Sequence, residues 1–133
     1  MTAENYATPP GPPVLRNDQT KTDTTQIGLK WTQPLDDGGA PVTQYKIRWK
    51  RPSDVNFQDL TPDFDRNVFA HTATDLNGEA IVAMNSYEFQ AVAQNRKGWG
   101  IPSITVLIIA AKTPDAPVNV DFILDQLQIP VSW

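Results

Sequence analysis

The sequence predicts an all-β protein, a two-sheet antiparallel sandwich of about seven short strands followed by a C-terminal extension of one or two more. Three observations predict it. Apolar and polar residues alternate in several separate runs, the period of two that a half-buried strand requires. Twelve prolines and seven glycines are spread through 133 residues and leave no long amphipathic helical pattern. The runs are short and bounded by turn-forming clusters, the spacing of a sandwich rather than of alternating strands and helices.

Residues 1–8 read as a leader. "TPPGPPV" is an extended lead-in, because proline fixes φ and removes a backbone donor. In "TTQIGLKWTQ", Ile27, Leu29 and Trp31 fall on one face. "PLDDGGAP" gathers the common turn formers in one place. "VTQYKIRWKR" alternates again, with Tyr45, Ile47 and Trp49 on one face and Lys46, Arg48 and Lys50 on the other. "VNFQDL" reads as a short edge strand and "TPDFD" as the loop after it. "NVFAHTATDL" is a strand with Phe69, His71 and Ala73 on one side, and "YEFQAVAQN" one with Tyr87, Phe89, Ala91 and Ala93 on one side. After the loop "RKGWGIP", the near-continuous apolar run "SITVLIIAA" predicts a strand covered on both faces.

Hydrophobic residues make up 40% of the chain, enough for one core, and the formal net charge is −4. An acidic chain is a poor match for nucleic acid, where a basic face must neutralise phosphates, or for an anionic membrane surface. No apolar run approaches the roughly 18 residues of a membrane span, so no membrane insertion is expected. The start, "MTAENYATPPGPP", lacks the charged and apolar regions of a secretory signal. There are no cysteines, hence no disulfide framework and no thiolate metal site, which tilts mildly toward a reducing compartment. His71 is the only histidine; without partners it reads as a packed strand residue, not a base or metal ligand. The pairs Asp36–Asp37 and Asp63–Asp65 read as solvated turn carboxylates, since calcium wants more oxygens than either offers. No nucleophile elbow, zinc-protease motif or phosphate-cradling loop occurs. The expectation is a chain that is not an enzyme and needs no cofactor.

At "LKWTQPLDDGGAPVTQYKIRW" and "YEFQAVAQNRKGWGIPS" the chain resembles the fibronectin type III family over residues 9–112. The tryptophan near the end of that family's strand B is Trp31, and its Tyr-x-hydrophobic strand C is Tyr45 and Ile47. Its strand F run is Tyr87, Phe89, Ala93 and Asn95, and the approach to strand G matches Gly98, Gly100, Pro102 and Ser103. The resemblance implies an immunoglobulin-like antiparallel β-sandwich of seven strands. One departure stands out. A leucine normally precedes the strand F tyrosine by about six residues in the tyrosine corner, whereas Leu76 lies eleven before Tyr87. Either the connection carries an insertion or Ile81 takes the leucine's place.

The family often uses its F–G loop for adhesion, notably through an Arg-Gly-Asp tripeptide, which is absent here. Arg96, Lys97 and Trp99 nevertheless make the F–G loop the candidate partner contact, arginine and tryptophan being enriched at binding hot spots. The alternative is that Trp99 folds back over the end of the sandwich. The basic stripe of Lys46, Arg48, Lys50 and Arg51 is either a solvated face that discourages edge pairing or a receiver for an acidic neighbouring module.

Near the start "TPPGPPVL" precedes "QIGLKW", and near the end "TPDAPVNV" precedes "LQIPVSW". This repeat predicts that residues 113–133 are a linker and strands A and B of a second, incomplete module. Val120, Phe122, Leu124, Leu127, Ile129, Val131 and Trp133 then form a candidate assembly segment, whose apolar face needs cover from a continuing chain or another copy. The function expected is a non-catalytic structural or adhesive module of a tandem-repeat extracellular or surface protein, assembling into a filament through its C-terminal strands. Its partners would be neighbouring modules or copies of itself. The alternatives are a spacer in a cytoplasmic filament of the giant muscle type and an accessory domain beside an enzyme.

Overall fold

The computed structural model describes residues 7–112. Its strands are β1 (Val14–Asn17), β2 (Ile27–Thr32), β3 (Gln44–Lys50), β4 (Gln58–Asp65), β5 (Ala70–Ala73), β6 (Asp75–Leu76), β7 (Glu79–Ala80), β8 (Ser86–Asn95), β9 (Gly98–Trp99) and β10 (Val106–Ile109). Eight of them build two antiparallel sheets. One runs β1-β2-β5; the other runs β10-β8-β3-β4, with β9 added to the end of β8. The alternation anticipated in the sequence sets which side chains meet between the sheets. Ile27, Leu29 and Trp31 from β2 face Tyr45, Ile47 and Trp49 from β3 and Tyr87, Phe89, Ala91 and Ala93 from β8, all buried. The Trp31 ring lies 5.2 Å from Phe64 and 6.1 Å from Tyr45, tilted as aromatic quadrupoles prefer.

Two strands differ from the sequence expectation. "TPDFD" is not a loop but the second half of β4, which bends through a register shift opposite Tyr45 and Ile47 and contains a cis Thr61–Pro62 peptide bond. Its composition suits an edge, where a missing proline N–H breaks no ladder. In the last strand Ile108 is buried and Val106 half-buried, but Leu107 and Ile109 are exposed, as is Ile104 before it. The strand is therefore covered on one face only: Val106 and Ile108 turn to the core, and Leu107 and Ile109 turn away from it.

The connection before strand F is longer because it holds an inserted hairpin. β6 and β7 pair across Asn77-Gly78, both at positive φ, as a two-residue hairpin turn demands. Leu76 keeps a core position at 1% exposure, and Ile81 packs against the core's edge. The Tyr87 hydroxyl accepts the Val82 N–H at 3.0 Å, which ties the connection back to β8.

Candidate functional site

One pole of the sandwich gathers the lead-in, the β2–β3 loop, the β4–β5 loop and the β8–β9 turn. The lead-in is fixed there by backbone hydrogen bonds: Thr8 N–H donates to the Gly38 carbonyl and Gly11 N–H to the Asp36 carbonyl, each at 2.8 Å. Asn95, 2% exposed at the end of β8, donates its side-chain amide to the Thr8 carbonyl at 2.7 Å and the Asp37 carbonyl at 2.8 Å. Its Oδ1 accepts the Lys97 N–H, shaping the turn that follows. The glycines of this pole allow that approach. A Cβ on Gly38, which also has φ +80°, would sit 2.0 Å from the Thr8 carbonyl oxygen, and one on Gly100 would sit 1.9 Å from that of Pro10. A single buried asparagine thus joins lead-in, β2–β3 loop and β8–β9 turn.

On this frame Arg96 and Lys97 are exposed at the tip of the β8–β9 turn. Trp99 is half-buried and leans back across the outer face of the larger sheet, with Lys46 Nζ 4.6 Å from its ring centroid. The turn therefore presents two cations at its tip and an indole at its root. Trp99 also walls a shallow groove of about 490 Å³ shared with Pro9, Gly11, Asp36 and Ile101. Val120, Phe122, Leu124, Leu127, Ile129, Val131 and Trp133 lie outside the described residues.

The basic stripe is neutralised from within the domain. Lys46 pairs with Asp59 at 3.3 Å and Asp63 at 3.6 Å, Arg48 with Asp59 at 3.7 Å, and Lys50 with Glu88 at 3.2 Å. Arg51 reaches Asp54 and Glu79. The side chain of Phe57 lies beneath Arg48 and Lys50. Each pair at such exposure is worth little singly, but every cation of the stripe has a carboxylate partner within the domain.

Asp36 and Asp37 spend side-chain oxygens on the N–H groups of Gly38 and Gly39, both at 2.8 Å, which holds the tight β2–β3 loop. Among the described residues no group of three or more His, Asp or Glu side chains is placed to hold a metal ion. His71 packs its ring 5.0 Å from that of Phe64, and burial lowers its pKa against a smaller opposing pull from Asp75. A second cleft, about 290 Å³, lies between the β2–β3 and β4–β5 loops and is walled by Tyr45, Arg66 and Phe69. The Tyr45 hydroxyl is buried without a hydrogen-bond partner, and burial pushes its pKa up. The sequence reading missed this hydroxyl and the Asn95 clamp. Asn95 had a signal in its fixed place after the β8 alternation; Tyr45 had none, because its neighbours come from two separate loops.

The fibronectin type III domain family matches residues 11–108. Contactin-1 of Homo sapiens is 34% identical over 116 residues, 84% of this chain and 10% of that protein. Protein sax-3 of Caenorhabditis elegans is 28% identical over 114 residues, 86% of this chain and 8% of that protein. The titin homolog of the same organism is 27% identical over 127 residues, 92% of this chain and 1% of that protein. The chain thus spans a tenth or less of the length of each of these relatives. Among solved structures, domains of titin superpose with a TM-score of 0.65 at 22% identity, covering 79% of this chain and 33% of that one. The FN1–FN3 domains of chicken contactin-1 superpose at 0.61 with 25% identity, covering 78% of this chain and 34% of that one. With its strands, tyrosine tie and family match in agreement, the chain belongs to the fibronectin type III family.

Proposed function

We propose that this chain is a non-catalytic structural and adhesive module of a tandem-repeat surface protein, which associates with neighbouring modules or further copies through its C-terminal segment. The observation that carries the reading is the pairing of a complete sandwich with a clamped lead-in. Thr8 to Gly11 are bonded into the loop pole, so a preceding module would be held at a defined angle rather than on a free tether. A fixed junction suits a rod. The titin homolog match supports a continuing series of modules: it covers 92% of 133 residues, about 122, and so reaches past residue 120 wherever it starts. Arg96, Lys97 and Trp99 offer the contact surface at the pole, and Val120, Phe122, Leu124, Leu127, Ile129, Val131 and Trp133 the apolar strip for assembly.

A spacer in an intracellular filament is the second reading, favoured by the same titin homolog match and by the lack of cysteines. In both readings the segment after Lys112 drives growth. Sedimentation velocity of the full chain should show species that grow beyond a dimer with concentration, while a chain ending at Lys112 should stop at a dimer or below and melt at the same temperature. Identical size distributions for the two, with the segment resisting protease in the monomer, would reject the assembly role.

A further inference from the structure

We propose that the free edge of β10 is a self-association surface, on which a second copy of this chain pairs edge to edge and antiparallel about a twofold axis near Leu107. β10 ends the larger sheet, and its ladder partner among the described residues is β8. Ala110 turns its N–H to the Asn85 carbonyl at 2.9 Å and accepts the Met84 N–H at 2.8 Å. Backbone groups alternate in direction along an antiparallel strand, so those of Leu107 and Ile109 point outward. Ile104, Leu107 and Ile109 are 83%, 58% and 50% exposed. Residues 103–111 carry no charge. At the other end of the same sheet, β4 carries Asp59, Pro62, Asp63 and Asp65. Charges and proline are how a sheet edge is protected from pairing. The molecule protects one edge and leaves the other bare and aliphatic.

A second copy fits this edge by symmetry. Antiparallel pairing sets the head of one β10 beside the foot of the other. At the head lies an apolar cleft of about 370 Å³ formed by Pro12, Val14, Leu35 and Ile104, with Asp36 in its wall. At the foot lie Met84 and Ile109, with Lys112 beside them. The twofold apposes apolar head to apolar foot twice, and each Asp36 to the other copy's Lys112. That complementarity offsets the repulsion expected between two chains of net charge −4.

The absence of cysteine makes the test clean. In the full chain, Leu107→Cys near the axis should give a disulfide-linked dimer under mild oxidation, since strands paired this way place opposed Cα atoms within bridging distance. Leu35→Cys, more exposed but far from the axis, should stay unlinked. Leu107→Lys should raise the dimer dissociation constant about tenfold or more through like charges at the axis, and exchange of the Leu107 amide should slow as concentration rises. Equal linking of the two cysteine variants overturns the proposal. So does a Leu107→Lys chain that sediments like the parent, and so does slow Leu107 exchange independent of concentration, which would mean the chain covers its own edge. A dimer that survives Leu107→Lys but is lost with Val120→Asp and Phe122→Asp assigns association to the C-terminal segment and also overturns it.

Discussion

His71 stands half-buried on β5 with its ring against Phe64, and burial holds its pKa below the ordinary 6.5. In the window between that lowered value and 6.5 the unfolded chain binds more protons than the folded one. Stability therefore rises with pH through this window, is fully present above 6.5, and falls as pH drops through it. Urea titrations at several pH values should show this limb in the parent and its loss in His71→Gln; an unchanged profile would mean the imidazole is not desolvated. Further acid loss should come from Asp18 and Asp23, whose pKa values are lowered by hydrogen bonds from Thr20 and Thr25. Their contribution is present above 3.8 and disappears as pH falls below it. The sequence placed His71 on an inward-facing strand side by alternation alone. It had no means of placing Phe64 beside it, because that side chain arrives from β4 in the other sheet. The unpartnered hydroxyl of Tyr45 escaped the sequence for the same reason.

Among the elements, the lead-in and β9 meet where Gly100 passes under the Pro10 carbonyl. Gly100→Ala would drive a methyl group to 1.9 Å from that oxygen, so backbone must move. The expected cost is about 1–3 kcal/mol, the range for overpacking a tight contact. It should appear as a lower denaturation midpoint together with protease cleavage at the lead-in, since the displaced segment pulls away from Asn95. A variant that keeps both the midpoint and the protection would show the seam to be slack. The strongly periodic strands β2, β3 and β8 were legible because each has one face in the core. β4 was not, because its edge position and bend remove the alternation that would have marked "TPDFD" as strand. The β6–β7 hairpin carried its signal openly in Asn77-Gly78, a pair that favours positive φ at both turn positions. β10 misled in the opposite direction. A run of aliphatic residues is the mark of a strand buried on both faces, and here the same run forms an open edge.

For the molecule as a whole, Trp31 is the test of the core. It is 3% exposed and joins β2 to Tyr45 and Phe64 of the opposing sheet. Trp31→Ala should cost about 3–5 kcal/mol, against the roughly 5–15 kcal/mol a domain of this size possesses. The variant should be close to unfolded at room temperature by denaturant titration; a melt like the parent's would mean that the two sheets do not depend on this ring. Sequence alone determined the all-β class, the faces of the main strands and the aromatic core. Those properties follow from alternation along a single strand and from turn chemistry, both of which are local. Only the tertiary structure decided that the basic stripe is answered by Asp59, Asp63 and Glu88, that Asn95 clamps the lead-in, and that β10 is bare while β4 is guarded. Each of these depends on which strands become neighbours, and that is set by packing between residues up to 87 positions apart, as in the bond from Asn95 to Thr8.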